Sequence, residues 1–231
     1  SFTAKDICSK KLVALKGISA NNLTNTETIA TNEKLNIAGN FENKGKVSTN
    51  KSLNIGGRLE NIGDIQALDN ISVKENTLNQ GNILTNGFFT TKELKNEKVL
   101  SVKDSISVNK LENSGKILTG KDLVVKDNLI NSSKIEAIGD IKVVSNVVNT
   151  GNILTNGSFV SKDVKNSKNI SVNKDIDIGN LNNLKNAIVI TNKKININGE
   201  LTNIGAIRSL ENIKVTGNTI NNGDIFTNKN F

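Results

Sequence analysis

The sequence predicts an all-β protein, a right-handed parallel β-helix of about 12–13 coils with about 18 residues in each coil. Three observations predict this fold. An asparagine recurs with this period, an aliphatic residue follows it by four positions, and a second large apolar residue follows it by ten. One coil departs from these spacings, because a two-residue insertion separates Asn183 from Val189. A period of this length means that each coil stacks on the one before it. The asparagine column consists of Asn25, Asn43, Asn61, Asn79, Asn96, Asn113, Asn131, Asn149, Asn166, Asn183, Asn203 and Asn221.

The two apolar columns predict short β-strands. Another inward position lies two residues beyond each column, as at Thr49 and Ile55, and a spacing of two is the period of a strand. The handedness of parallel crossover connections predicts a right-handed coil. The first column is Ile29, Val47, Ile65, Ile83, Leu100, Ile117, Ile135, Ile153, Ile170, Val189, Ile207 and Ile225. The second is Leu35, Leu53, Ile71, Phe89, Ile106, Leu123, Ile141, Phe159, Ile176, Ile195, Ile213 and Phe231.

The asparagine column predicts a ladder of side-chain amides at a corner of the coil. Each amide is expected to hydrogen-bond the amide of the next coil, because the column occurs in every coil, at a corner where most coils carry a glycine two residues later. Glu27, Lys98 and Lys168 replace this glycine at intervals of 71 and 70 residues. A polar strip for glycan binding is the alternative reading of the same column. The glycine two residues after the asparagine, as at Gly45, Gly63 and Gly81, is expected to supply a positive φ at the corner.

Four coils form a larger repeat of about 70 residues. The segments 76–89, 146–159 and 218–231 resemble one another and lie 70 and 72 residues apart. Phenylalanine enters the second apolar column once in each of these larger repeats, and a polar residue, Thr91 or Ser161, follows two positions after the first two. A larger ring beside a smaller neighbour keeps the core volume roughly constant.

The repeat predicts one elongated β-helical domain over residues 1–231, and we expect it to be a fragment of a longer repeat array. No run of 18 apolar residues is present, so we expect no membrane span. The formal net charge is +8. A basic surface for acidic glycans or nucleic acid is one reading of this charge, and a solvated lysine-rich exterior that protects sheet edges from aggregation is the favoured one.

The residue types argue against catalysis. The chain has no histidine and a single cysteine, Cys8, which excludes histidine-based triads and ordinary zinc sites. Glu42, Glu60 and Glu112 stand at equivalent positions of their coils, and paired carboxylates can hydrolyse glycosides. A catalytic pair should interrupt the repeat, whereas these glutamates recur with it. We therefore predict no enzyme activity, no catalytic residue, no metal site and no cofactor.

The coil reads L-x-N-x-G-x-I-x-T-x-x-x-L-x-V, as in residues 111–125 and 59–73. Over residues 12–231 this pattern resembles the repeats of filamentous haemagglutinin and of the large exoproteins of Gram-negative two-partner secretion systems. The resemblance implies a secreted filament on the bacterial cell surface that serves adhesion or carries a toxin of contact-dependent growth inhibition.

The resemblance also implies the partners. These are a surface receptor on a host or bacterial cell, for which a glycan is one candidate, and an outer-membrane secretion partner for the full-length protein. We expect a monomeric rod with no specific nucleic-acid partner. The alternative function is that of a polysaccharide-binding or polysaccharide-degrading β-helix protein, for which an insertion or a carboxylate cluster that breaks the period would be the sign.

Overall fold

A computed structural model describes residues 2–231 and has the predicted fold class. The chain is an all-β solenoid of about 13 turns, with parallel strands whose equivalent residues lie about 18 positions apart, and residues 2–231 contain no helix. Ser9 occupies the asparagine position of the first turn, because it pairs with Asn25.

Strands β1 to β15 are Phe2–Ala14, Ile18–Thr31, Leu35–Ile37, Phe41–Asn43, Lys46–Thr49, Leu53–Ile55, Leu59–Asn61, Asp64–Ala67, Ile71–Val73, Thr77–Asn79, Asn82–Thr85, Phe89–Asn96, Val99–Val102, Ile106–Asn113 and Lys116–Thr119. Strands β16 to β31 are Leu123–Val125, Leu129–Asn131, Lys134–Ala137, Ile141–Val143, Asn146–Asn149, Asn152–Thr155, Phe159–Asn166, Asn169–Val172, Ile176–Asn183, Ile188–Thr191, Ile195–Ile197, Leu201–Asn203, Ala206–Ser209, Ile213–Val215, Thr219–Asn221 and Asp224–Thr227.

A regular turn contains three strands, and each pairs in parallel with its equivalent in the next turn. Strand β4 pairs with β7, β5 with β8, and β6 with β9. We call the outer surface of β4, β7 and β10 the first face, that of β5, β8 and β11 the second face, and that of β3, β6 and β9 the third face. In some turns the third strand continues into the first strand of the next turn, as in β12.

The chain forms two compact units. The first comprises residues 1–109 and 114–118, and the second comprises residues 110–113 and 119–231. Each unit repeats the same three-stranded turn around its own apolar interior. The β4–β7 register in the first unit and the β17–β20 register in the second both place one column asparagine beside the next.

The interior is built from the predicted columns. Every member of the first column up to Ile207 and of the second up to Ile213 is buried. Burial of a large aliphatic side chain contributes roughly 1.5–3 kcal/mol before the cost of chain ordering is counted. Phe231, the last member of the second column, is 64% exposed, and no strand of the described chain lies over it.

A third apolar column was not predicted as a separate set. It lies two residues before most of the asparagines, at the start of the first strand of the turn, and includes Leu23, Phe41 and Leu59, which are all buried. Thr77 and Thr219 take this position in two turns. The asparagine therefore ends a strand with its side chain pointing inward. The sequence contained the pattern that identifies this strand, because the leucine lies two residues before the asparagine and a spacing of two is the strand period.

The threonines of the second strand are buried because their hydroxyls close the following corner. The Thr49 hydroxyl donates to the Glu33 carbonyl of the preceding turn at 2.6 Å and accepts from the Lys51 backbone N–H at 3.2 Å. Thr91 and Ser161, the predicted small neighbours of Phe89 and Phe159, are also buried. Each of these hydroxyls donates to a backbone carbonyl of the preceding turn, at Glu75 and Ser145 respectively.

The expectation that the corner glycines adopt positive φ is wrong. No glycine in the described residues has a positive φ. Glycine suits these corners because successive turns approach closely there: a Cβ built on Gly63 would lie 2.0 Å from the Gly45 carbonyl oxygen, and one on Gly81 would lie 1.9 Å from the Gly63 oxygen. Other turns accommodate a side chain at the equivalent position, as at Glu27, Lys98, Ser133 and Lys168. The selection is for space between two backbones and not for a special dihedral angle.

The one longer turn absorbs its extra residues in a tight bend. Asn186 has φ 63°, the only positive φ among the described non-glycine residues, and the Ala187 N–H donates to the Leu184 carbonyl at 3.1 Å. Ala187 is buried, and its carbonyl accepts from the Asn183 side chain. The insertion therefore keeps the ladder in register and adds no projecting loop.

Candidate functional site

The asparagine column forms a continuous amide ladder in the first unit. Each Nδ2 donates to the Oδ1 of the next asparagine: Asn25 to Asn43 at 2.7 Å, Asn43 to Asn61 at 2.8 Å, Asn61 to Asn79 at 2.9 Å and Asn79 to Asn96 at 2.7 Å. The same Nδ2 groups also reach backbone carbonyls, as Asn61 does at Gly63. All these side chains are fully buried.

The second unit contains its own ladder. It runs from Asn113 through Asn131, Asn149, Asn166, Asn183 and Asn203 to Asn221, with Nδ2–Oδ1 distances from 2.8 to 3.0 Å. The predicted amide ladder is therefore confirmed within each unit. Because its members before Asn221 are buried, the column has almost no surface with which to meet a glycan, and it is part of the scaffold.

The ladder of the first unit has one unpaired end. The Asn25 Oδ1 is buried and accepts no hydrogen bond, and the residue that pairs with Asn25 in the first turn is Ser9. An asparagine at that position would present an amide donor, whereas the shorter serine side chain does not reach. The Asn25 Oδ1 is therefore unpaired because serine replaces asparagine at one position of the repeat.

The carboxylates that were considered for catalysis lie on the first face. Glu42 and Glu60 are register partners in β4 and β7, as predicted. Glu42 forms an exposed ion pair with Lys44 at 2.5 Å, which raises the pKa of the Lys44 ammonium through the hydrogen bond and the charge of Glu42. Glu112 forms a similar pair with Lys110 at 2.8 Å. Exposed pairs of this kind contribute little to stability.

Charged residues elsewhere are dispersed over the exterior. The remaining ion pairs, such as Lys92–Glu75 at 3.6 Å and Lys193–Glu211 at 3.1 Å, are also largely exposed. Among residues 2–231 no group of three or more cysteine, aspartate and glutamate side chains is placed to hold a metal ion. No helix in this range is long and apolar enough to cross a membrane.

An open groove lies on the third face of the first unit. A groove of about 580 Å³ crosses the outward residues Thr3, Ser19, Asn36, Asn54 and Ser72, with Lys74 at one end. These residues follow one another in register through β1, β2, β3, β6 and β9. The Asn54 Nδ2 donates to the Asn36 Oδ1 at 2.8 Å, and this amide pair is exposed to solvent. We call these six residues and the space above them the polar groove.

The sequence does not single out the polar groove. Outward positions change from one larger repeat to the next on more than one face: Asn54 corresponds to Val124 on the third face, and Glu60 corresponds to Ile130 on the first. Packing makes no demand at outward positions, so these changes do not identify a site. The groove becomes visible only once the turns place its residues in register.

Comparisons with known proteins gave no match. No protein-family model matches the chain, and no curated protein or solved structure is significantly similar to it.

Proposed function

We propose that this chain is a structural and adhesive segment of a secreted filament on the surface of a Gram-negative bacterium, of the kind to which filamentous haemagglutinin belongs. In this proposal it catalyses no reaction. Its turns hold binding or toxin regions of the parent protein away from the cell, and its outer faces contact a surface receptor. A partner in the outer membrane exports the parent chain.

The observation that carries the proposal is the use of the buried polar residues. In both units the column asparagines direct their amides to the next turn and to the corner carbonyls, so the repeated residues serve the stacking of turns. In the coil pattern that resembles the haemagglutinin repeat, each defined position has a structural role. Leucine, isoleucine and valine fill the interior, and asparagine forms the ladder. Glycine permits the close approach of turns at one corner, and threonine hydrogen-bonds the backbone at the next corner. A repeat whose defined positions all serve the stacking of turns suits a filament.

The longer turn also supports a filament over an enzyme. A β-helix enzyme is expected to interrupt its period with a loop that walls a substrate site. Here the extra residues at Lys185 and Asn186 form a tight bend, and the next residue, Ala187, returns to the interior.

Surface labelling tests the proposal. Antibodies raised against the 231-residue chain should label intact, unpermeabilised cells that produce the parent protein. An antibody against a cytosolic protein of the same cells serves as the control for leakage. Labelling that appears only after permeabilisation, with the control antibody behaving in the same way, would contradict the surface assignment.

A further inference from the structure

We propose that the polar groove binds a neutral polysaccharide chain. This inference rests on the proposed function and deepens it, because it names the chemistry of the receptor and the surface that contacts it. The polar groove belongs entirely to the first unit.

The size of the groove suits an extended ligand. It crosses five neighbouring strands, so its length along the stacking direction is roughly 19 Å at the usual strand spacing of about 4.8 Å. Its volume of about 580 Å³ lies within the range of known ligand sites. A ligand lying along it meets the same kind of side chain once per turn, as a polymer of repeated units would.

The residues that line the groove suit a ligand that carries many hydroxyl groups. Thr3, Ser19 and Ser72 offer hydroxyls that both donate and accept, and Asn36 and Asn54 offer amides. Glycan hydroxyls are recognised by such mixed donors and acceptors. The Asn54 Nδ2 donates to the Asn36 Oδ1, so the two amides lie next to each other along the groove.

Other classes of ligand fit less well. Lys74 is the only charged side chain in the lining, so an anionic glycan or a nucleic acid would find neither a row of cations nor an aromatic stacking platform. The large apolar residues that border the groove, Ile37 and Ile55, are buried beneath it. Its apolar surface therefore comes from small residues such as Ala4 and Ala38, which offer no pocket for a large hydrophobic side chain. A peptide strand would need free backbone groups, and those of β3 and β6 are used in the parallel ladder.

The second unit provides the design of the test. Its third face carries Val124 and Lys142 where the groove has Asn54 and Ser72, so the chain itself shows that these residues are compatible with the turn. The double variant Asn54→Val/Ser72→Lys should therefore fold while losing one amide and one hydroxyl of the groove. The control is Gln66→Glu on the second face, which likewise copies the residue one larger repeat later, Glu136.

Affinity electrophoresis of the whole 231-residue chain measures the binding. Mobility is compared between plain gels and gels that contain dextran, amylose, xylan, galactomannan or hydroxyethylcellulose. We expect retardation by at least one of these polymers. The apparent affinity should fall about tenfold or more in the double variant, as the loss of one or two hydrogen bonds requires, and should be unchanged in Gln66→Glu. Circular dichroism confirms that both variants are folded.

The result that overturns the inference is equally definite. Absence of retardation in all five gels, or equal retardation of the folded double variant and the original chain, refutes it. Retardation that disappears in about 1 M salt also refutes it, because it would show an electrostatic contact. Cell-surface labelling without retardation removes only this inference, whereas retardation without surface labelling removes the filament assignment.

Discussion

The substitution Asn61→Ala removes one buried link from the ladder of the first unit. The Asn61 Nδ2 donates to Asn79 at 2.9 Å, to the Gly63 carbonyl at 3.0 Å and to the Asn82 carbonyl at 3.2 Å, while its Oδ1 accepts from Asn43 at 2.8 Å. The Gly63 carbonyl keeps the Asn82 N–H, but the Asn79 Oδ1 is left buried without this donor. One stranded acceptor costs about 1–3 kcal/mol and the other lost bonds add about 1 kcal/mol, so we expect a loss of about 2–4 kcal/mol in the free energy of unfolding.

The matched control is Asn50→Ala. The Asn50 Nδ2 donates to the Asn32 Oδ1 at 3.2 Å, so this side chain is also linked to its neighbour one turn away, but the pair is exposed. Water replaces the lost partner there, and the expected change is within about 0.5 kcal/mol. Urea unfolding followed by circular dichroism measures both variants. Equal destabilisation by the two substitutions, or none by Asn61→Ala, would refute the view that burial makes the ladder important.

Three further predictions concern single positions. Ser9→Asn should place an amide donor beside the unpaired Asn25 Oδ1 and raise the free energy of unfolding by about 1 kcal/mol in urea titrations, whereas a decrease would show that the first turn cannot continue the ladder. Gly63→Ala should destabilise the fold by more than a typical exposed substitution, because the new Cβ would overlap a carbonyl oxygen of the adjacent turn; an unchanged urea midpoint would contradict the close approach. The hydrogen bond and charge of Lys193 lower the pKa of the Glu211 carboxyl, so this pair stabilises the fold above the pKa of an unfolded glutamate and loses that effect as the pH falls through the lowered value. Lys193→Gln should raise the pKa of Glu211 in an NMR titration, and an unmoved titration curve would exclude the pair.

The interior could be predicted from the sequence because burial imposes a period. Ile65 and Ile71 occupy positions that only a large apolar residue can fill, and the same demand returns in each turn. The spacing of two between Ile71 and Val73 then identifies a strand. The asparagine ladder was predictable for a related reason, since a buried amide repeated in every turn finds its partner in its own copy.

The corner glycines illustrate what periodicity leaves open. Glycine is compatible with both a positive φ and a close backbone approach, and the sequence does not distinguish them. The choice depends on the distance between turns, which at Gly63 leaves no room for a Cβ. The exposed end at Phe231 is a similar case, because a pattern of inward positions does not state whether another strand covers the last one.

The polar groove could not be predicted in the same way because outward residues carry no packing constraint. Asn36 and Asn54 form a groove only because they lie in register beside small neighbours such as Ala38 and Gly56, and that arrangement depends on the three-strand turn. Once the faces are assigned, Val124, which stands one larger repeat after Asn54, shows a residue that the same position of the turn also accepts.

Exchange of side-chain amide protons tests the central claim most directly, namely that the repeated asparagines form a buried ladder and the outward residues face solvent. NMR of the uniformly labelled chain can follow the Nδ2 protons of Asn43, Asn61 and Asn149 against those of Asn50 and Asn54 after transfer to deuterated water. We predict that the three ladder amides exchange only through opening of the turns, and therefore orders of magnitude more slowly than the two exposed amides. Rapid exchange of all five amides at a similar rate would contradict the account.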